Sequence, residues 1–491
     1  MKLSRRQTMV ALGAAVPSTL LLRPALHLGL SFARDRAGSE PTLPGEAASD
    51  AGRLEHDDVE RVRPRGTLEQ ASQQLREVLS LAQQRGRKVS IAGARHSMGG
   101  QTRLPAQVQL DMLEMNAMRL DAQTGLLWVQ AGARWRDILS YLDGSGHSVR
   151  VMQSNADFTV GGSLSVNCHG WQPNSPPVAS SVESLRLMLA DGSVVTCSRN
   201  ERPELFSLVL GGYGLFGVVL DLQLRITNNN LLRRRTSRLT PADYAAHFAT
   251  HAGTAELAYG RLSVVPETRF EEALLTVYEA VPEPPALPKL TDARETPLAR
   301  TLFRGQVGSN YGKALRWRLE QWFGGETGAE VTRNQALSEP VATFQNRRPE
   351  LTDILQEYFI PKAQLGRFAK QAAEVLGRTS GVDLLNCTLR NVLPDPDAFL
   401  RYAREEVFGF VMLFCSERTQ AAAERLDQLG RELTEAALAL GGTYYLPYRL
   451  GANPAQLRRA YPMARDFFGL KHRYDPTTLF SNHFYERYRD V

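Results

Sequence analysis

Between residues 67 and 229 the apolar positions switch repeatedly between two periods. Leu68, Ala71, Leu75, Val78, Leu79 and Ala82 recur at three- and four-residue intervals, which predicts a helix. Thr67 and Gln70 form a capping box at its start, and Gly86 stops it. Lys88 to Ala92 reads as a short strand, as do Val108–Leu110 and Leu126–Val129, with a helix from Trp135 to Tyr141. Pro203 to Leu210 is helical in pattern. Leu220, Leu222, Leu224 and Ile226 then alternate with Asp221, Gln223 and Arg225, as in a half-buried strand. Blocks of small residues at 93–101, 155–171 and 203–226 punctuate these elements. The class is mixed helix and sheet, α+β, with short strands.

The texture changes along the chain and suggests its division. Residues 34–60 are rich in Gly, Pro, Ala, Asp and Glu without period, as expected of a loose leader. A first domain covers 61–230. Residues 281–300 carry five prolines and 301–350 are polar and aromatic with weak periodicity, so 231–440 reads as a separate cap or substrate domain. From Gly441 to Val491 the chain is again aromatic-rich (Tyr444, Tyr445, Tyr448, Tyr461, Phe467, Phe468, Tyr474, Phe480). That is unlike a disordered tail, and the segment is expected to return to the first domain.

Composition narrows the class. With 491 residues, 43% hydrophobic and 22% charged, the chain can bury substantial cores. No apolar run is long enough for a membrane span. The net charge of +6 owes four charges to Lys2, Arg5, Arg6 and Arg23, in a 33-residue start that carries no acid. The remainder is close to neutral and gives no electrostatic case for nucleic acid. Residues 1–33 read as an export signal: paired Arg5-Arg6, an apolar stretch from Met9 to Leu22, and small residues at Ser31 and Ala33 for cleavage. The arginine pair resembles the twin-arginine signal, although Thr8 stands where that motif has a bulky apolar residue. That resemblance implies dealings with the export machinery and a periplasmic or secreted destination. Cys168, Cys197, Cys387 and Cys415 have neither metal-ligand nor scaffold spacing and are expected to be buried free thiols; no metal site is expected.

Gly212-Tyr213-Gly214-Leu215-Phe216-Gly217 satisfies the dinucleotide fingerprint G-x-G-x-x-G, but its context is inverted. The fingerprint needs a strand before and a helix after, so that pyrophosphate meets a helix N-terminus. Here the helix precedes and the strand follows, which excludes nicotinamide binding in the Rossmann manner. Two other blocks carry more chemistry. In Ala92-Gly93-Ala94-Arg95-His96-Ser97-Met98-Gly99-Gly100-Gln101 small residues leave backbone N–H groups free to face an anion, with one nucleophilic imidazole in the middle. In Asp157-Phe158-Thr159-Val160-Gly161-Gly162-Ser163-Leu164-Ser165, running to Cys168-His169-Gly170, paired glycines let a flat ring approach backbone, and Thr159, Ser163 and Ser165 offer short polar side chains.

The order of these blocks resembles the vanillyl-alcohol oxidase class of flavoproteins, with its two-part PCMH-type FAD domain and a cap built on an antiparallel sheet with flanking helices. The resemblance runs over about 63–226 and 441–488. Gly93-x-x-His96-Ser97-x-x-Gly100-Gln101 resembles the family's pyrophosphate loop, whose histidine bonds covalently to the flavin 8α-methyl. Thr159-Val160-Gly161-Gly162-x-Leu164-Ser165 resembles its isoalloxazine segment. Gly214-x-x-Gly217-Val218-Val219 resembles the adenine-side turn, and Lys471-x-x-Tyr474-Asp475-Pro476 to Ser481-Asn482 the closing segment. The resemblance implies FAD held by Ala92, Gly93, Ala94, Arg95, His96, Ser97, Gln101, Thr159, Gly161, Gly162, Ser163, Ser165, His169, Gly217, Val219, Tyr445 and Asn482, bonded through His96. A second, cysteinyl bond is not implied, because Asn155, Ala156 and Asp157 precede the glycine pair and Cys168 lies beyond it.

The implied chemistry is hydride transfer from a small-molecule substrate to flavin N5, followed by reoxidation by oxygen or a quinone-type acceptor. Arg390, in Thr388-Leu389-Arg390, matches the arginine of a Glu-x-Arg pair in aldonolactone and alditol oxidases, while Thr388 replaces its carboxylate. Arg449 ends Leu446-Pro447-Tyr448-Arg449, where alditol oxidases place a lysine. Tyr448 and Asp157 complete the catalytic candidates; cytokinin dehydrogenases carry their catalytic aspartate nearer position 154, here Ser154. Gly161 implies access of oxygen to the flavin. The leading expectation is an oxidase of a CH–OH group on a small polar, sugar-like molecule that forms hydrogen peroxide. Oxidation of a secondary amine, and a flavin-bearing binding protein without catalysis, are the alternatives.

Overall fold

The computed structural model describes residues 22–38, 47–121, 123–282, 284, 286–291, 297–323 and 328–491. Arg5-Arg6 and the apolar stretch up to residue 21 lie outside them. Three sheets organise the described residues. In the first, Val89–Ala92 and His56–Val62 flank Gln107–Asp111 in parallel, and Ala47–Ser49 adds an antiparallel edge. The helix Leu68–Gln84 covers it, with Ala71, Leu75, Leu79 and Ala82 inward and both capping-box bonds formed. The second sheet is antiparallel, in the order Met118–Asp121, Leu126–Gln130, Val218–Asn228, Val182–Met188, Val194–Ser198. The third is antiparallel, eight-stranded, and lies wholly within the cap apart from one edge strand, Thr443–Tyr444.

One expectation needs correction. The stretch 34–60 is not a loose leader throughout: residues 47–49 and 56–62 are strands, and 22–37 are helical. The sequence His-Asp-Asp-Val-Glu has no apolar alternation, so its strand is dictated by pairing with residues fifty positions away. Asp35 is likewise drawn in by a bidentate ion pair to the buried Arg300, at 2.6 and 2.7 Å. The block after Asp157 contains a regular element. Val160–Ser165 is a short helix capped by Thr159, whose side chain accepts from Gly162 N–H. The inverted context of the G-x-G-x-x-G turn stands: helix Pro203–Val209 precedes it and strand Val218–Asn228 follows.

The cap sheet has two different faces. On one, Gln356, Tyr358, Cys387, Leu389, Phe410 and Met412 are buried beneath the helices Pro241–His251, Leu365–Arg378 and Gln420–Ala439. On the other, Leu355, Glu357, Val411 and Leu413 face a cleft against the first domain, as the period of two requires. Strand Asp383–Val392 would present its odd residues there but for a bulge. Leu384 opposes Phe414 and Asn386 opposes Leu413, so Leu385 is the extra residue. Past it the parity is reversed, and Asn386, Thr388 and Arg390 enter the cleft.

Candidate active site

The cleft between cap and first domain has a volume of about 480 Å³ and is lined by all three small-residue blocks. The first two blocks touch. His96 stacks on Phe158 with ring centroids 4.1 Å apart, and a Cβ on Gly93 would overlap Thr159 Oγ1. Burial at this seam pushes the His96 imidazole down to about 4, outweighing the nearby Asp157, so the ring is neutral near pH 7 and can act as a nucleophile. Gly214 and Gly217, both at positive φ, close the cleft on the side of Ile91 and Val219.

The first loop has the features of an anion cradle. Among the described residues, no backbone N–H from Ala94 to Ser97 donates to another group of the chain. Arg95 Nε and Ser97 Oγ are buried without partners, and Arg95 adopts positive φ (58°), which turns successive amides to one side. Such groups are costly to leave unpaired, and a pyrophosphate would satisfy them. On the second loop, Gly161, Gly162, Ser165, Val166 and His169 line the cleft, and His169 Nδ1 is buried without a partner. These residues fit FAD.

Most of the expected cofactor residues meet here: Gly93, Ala94, Arg95, His96, Ser97, Gln101, Thr159, Gly161, Gly162, Ser165, His169, Gly217, Val219 and Tyr445 all line the cleft. Three do not. Ala92 ends the strand beneath the loop. Ser163 is enclosed, accepting from Trp135 Nε1 at 2.8 Å and donating to Gln153 at 2.7 Å. Asn482 donates to Tyr213 O at 2.9 Å and caps the last helix, so it fastens the tail to the glycine turn. Gln101 does similar work from within the cleft, donating to Leu446 O at 2.8 Å.

The catalytic candidates divide. Arg390 and Tyr448 line the cleft, while Arg449 and Asp157 do not. Arg449 forms a bidentate pair with Asp427 of the helix Gln420–Ala439, at 2.7 and 2.9 Å. In this irregular segment, successive side chains point to opposite sides, so Tyr448 and Arg449 part company. Asp157 has both carboxylate oxygens engaged, one by Arg136 and the other by Val341 N–H, each within 2.9 Å. It is a fastener rather than a base. A side chain on Gly161 would run into Ala131 rather than into open cleft, which removes the ground for reading that glycine as an oxygen gate. The four cysteines are buried and free; Cys168 hydrogen-bonds Gln153, and burial pushes its thiol up to about 12, unsuited to forming a flavin bond.

Sequence reasoning missed three charged residues of the cap side, Arg261, Glu339 and Glu357, and gave Ser154 of the first domain no role. Glu357 directly precedes the apolar run Tyr358-Phe359-Ile360, where a carboxylate at the edge was a visible signal; it lies 2.7 Å from His169 Nε2. Arg390 donates to Ser154 Oγ at 2.7 Å and lies over the rings of Trp171 and Tyr259. Its Nη1 is buried without a partner, although Glu339 and Glu357 both act on it electrostatically. Burial lowers its guanidinium to about 10, so it is charged at neutral pH. Along the strands, the cleft then runs from Glu357 to Asp353, about 13 Å, past Leu355, Leu413, Phe303 and Phe344.

Comparison with known proteins agrees with this geometry. Residues 70–198 match the FAD binding domain family. That stretch of the chain is therefore an FAD-binding domain by its match to this family. It is similar to mouse (Mus musculus) L-gulonolactone oxidase, 30% identical over 159 residues, covering 31% of this chain and 34% of that protein. It is also similar to cytokinin dehydrogenase 10 of Oryza sativa subsp. japonica, 32% identical over 157 residues, 30% of this chain and 28% of the relative. An uncharacterized oxidoreductase from the fasciation locus of Rhodococcoides fascians is 30% identical over 154 residues, 31% of this chain and 35% of its own length. The chain thus matches about a third of the length of these relatives. Among solved structures, a solvent-stable cholesterol oxidase shares the fold, with a TM-score of 0.69 at 16% identity over 90% of this chain and 97% of the other. No described helix is long and apolar enough to cross a membrane.

Proposed function

We propose that the protein is an FAD-dependent oxidoreductase that oxidises the CH–OH group of a small alcohol. The observation that carries this reading is the unpartnered Arg390 Nη1, buried in the cleft beside carboxylates. A guanidinium only donates and a carboxylate only accepts. A ligand group that serves both must accept and donate, as a hydroxyl does. A protonated amine cannot accept from Arg390 and would enter the field of Arg390, Arg261 and Arg316, which disfavours the amine alternative.

FAD, when bound, would supply the hydride acceptor, held by the amides of Ala94 to Ser97 and the glycine-lined second loop. Ser154 and the flanking Trp171 and Tyr259 fix the Arg390 guanidinium, so that its free N–H orients the substrate oxygen. Leu355, Leu413, Phe303 and Phe344 receive the rest of the substrate, which favours a hydroxyl carried on an apolar body over a fully polar sugar. The neutral His96 supports a covalent flavin bond, oxygen is the proposed reoxidant, and the paired arginines at 5 and 6 support export.

The test is anaerobic mixing of the flavin-loaded protein with primary and secondary alcohols, polyols and secondary amines. Bleaching of the flavin band is expected with alcohols bearing an apolar body, and admission of air should restore the band with one peroxide per turnover. Bleaching by amines alone refutes the proposal. Acid precipitation decides covalency, since bound flavin stays with the pellet.

A further inference from the structure

Three carboxylates line the cleft among the described residues: Asp353, Glu357 and Glu339. Asp353 is paired with Arg304, and Glu357 is enclosed against His169, its side chain only 1% exposed. Glu339 has no hydrogen-bond or ion-pair partner for its side chain, and its accessible surface opens into the cleft. It faces Arg390 of strand Asp383–Val392, Arg261 of strand Leu257–Leu262, Arg316 of helix Asn310–Phe323 and Tyr278 of strand Ala273–Ala280. None of those arginines comes within 4 Å of it: Arg390 is given to Ser154, and Arg261 and Arg316 to Glu320.

The segment bearing Glu339 is also held in place from the other domain. Ala156 N–H donates to Glu339 O at 3.1 Å and Val341 N–H donates to Asp157 Oδ2 at 2.9 Å. These two bonds bracket the residue and join the cap to the loop that begins the flavin-side block. A carboxylate fixed on both sides, facing a cavity and lacking a partner, is an expensive arrangement unless a ligand completes it.

We infer that Glu339 is the general base of the alcohol oxidation, and that Asp157 positions it. This rests on the reading of the cleft as an alcohol site. The substrate O–H would donate to Glu339 while its oxygen accepts from Arg390. As the C=O bond forms, the hydroxyl proton would pass to the Glu339 carboxylate, and the carbinol hydrogen would leave with its electron pair to the hydride acceptor that FAD, when bound, supplies. The proton then returns to solvent. Burial pushes the Glu339 carboxyl above the usual range, while Arg390, Arg261 and Arg316 hold it back, which suits a base working near neutral pH.

The experiment compares the flavin-loaded wild type with Glu339→Gln and Glu339→Asp. Two quantities are read: the anaerobic rate of flavin reduction by a secondary alcohol, and the affinity for a tertiary alcohol of the same shape, which lacks a carbinol hydrogen. For Glu339→Gln, flavin content and tertiary-alcohol affinity are expected to stay within about threefold of wild type, because a carboxamide oxygen still accepts. Its reduction rate should fall by at least about 100-fold. The acid limb of the rate–pH profile should disappear with it, and Glu339→Asp should recover part of the rate. Reduction within tenfold of wild type with the acid limb intact overturns the inference. So does an equal fall in rate and tertiary-alcohol affinity, which marks a binding role. Failure of every alcohol to reduce the wild-type flavin overturns this inference together with the alcohol reading itself, and is distinct from either variant result.

Discussion

Asp475 offers a severe test of how the tail supports the cofactor loop. Its carboxylate accepts from Leu479 N–H and Phe480 N–H, both at 2.9 Å, and pairs with Lys471. Both side chains are almost wholly buried, 0% and 1% exposed, and Lys471 lies between the rings of Phe480 and Tyr485. Burial lowers the Lys471 ammonium to about 8, with Asp475 working against the shift. The turn thus held delivers Phe480 to Val89, where Val89 N–H donates to Leu479 O at 2.8 Å and Ser481 N–H to Val89 O at 3.0 Å. Val89 opens the strand that ends at the His96 loop. Replacing Asp475 by Asn leaves a buried lysine without its counter-charge, which costs about 3–5 kcal/mol. At about 2–4 °C per kcal/mol, the apparent melting temperature should fall by roughly 6 °C or more. Differential scanning fluorimetry measures this, and flavin released on gentle heating reports the loop. Adding Lys471→Met to Asp475→Asn should restore at least half of the loss, because the stranded charge is gone. A single variant within 2 °C of wild type, or a double variant less stable than the single, would refute the reasoning.

Other expectations follow from the site. His96→Ala should release all flavin to the supernatant on acid precipitation while the protein remains folded by circular dichroism. Because the folded His96 imidazole is depressed from 6.5 to about 4, flavin-free protein should keep this contribution to stability above pH 6.5 and lose it as the pH falls through about 4. His96→Gln should abolish that part of the acid loss in urea titrations across this window. Arg390→Lys keeps a charge but not the paired donors that reach both Ser154 and the cleft, and should lower alcohol-driven flavin reduction by about 10- to 1000-fold, seen by stopped flow. A thiol reagent should label none of the four cysteines in native protein and all four in denaturant.

The parts of the site legible in the sequence are those whose signal is local. The capping box at Thr67 and Gln70 acts over four residues, and the small residues from Gly93 to Ser97 expose amides whatever surrounds them. The inverted order around Gly212–Gly217 was equally plain, because a helix and a strand each carry their own period. Glu339 was invisible by contrast: its polar surroundings carry no period, and nothing nearby in sequence shows that residues 156 and 157 grip it. Asp157 misled because a carboxylate beside the glycine pair suggests a base, and its two partners lie 21 and 184 positions away.

The sequence by itself determined the small-residue cradle around His96 and the succession of helix and strand that carries it. Only the tertiary structure decided which side chains complete the cleft. The bulge at Leu385 reverses the parity of one strand and so delivers Arg390 to the substrate side, while the turn of the 446–449 segment keeps Tyr448 and sends Arg449 to Asp427. Such directions depend on the register of neighbouring strands and on partners hundreds of residues distant, and no local propensity encodes them.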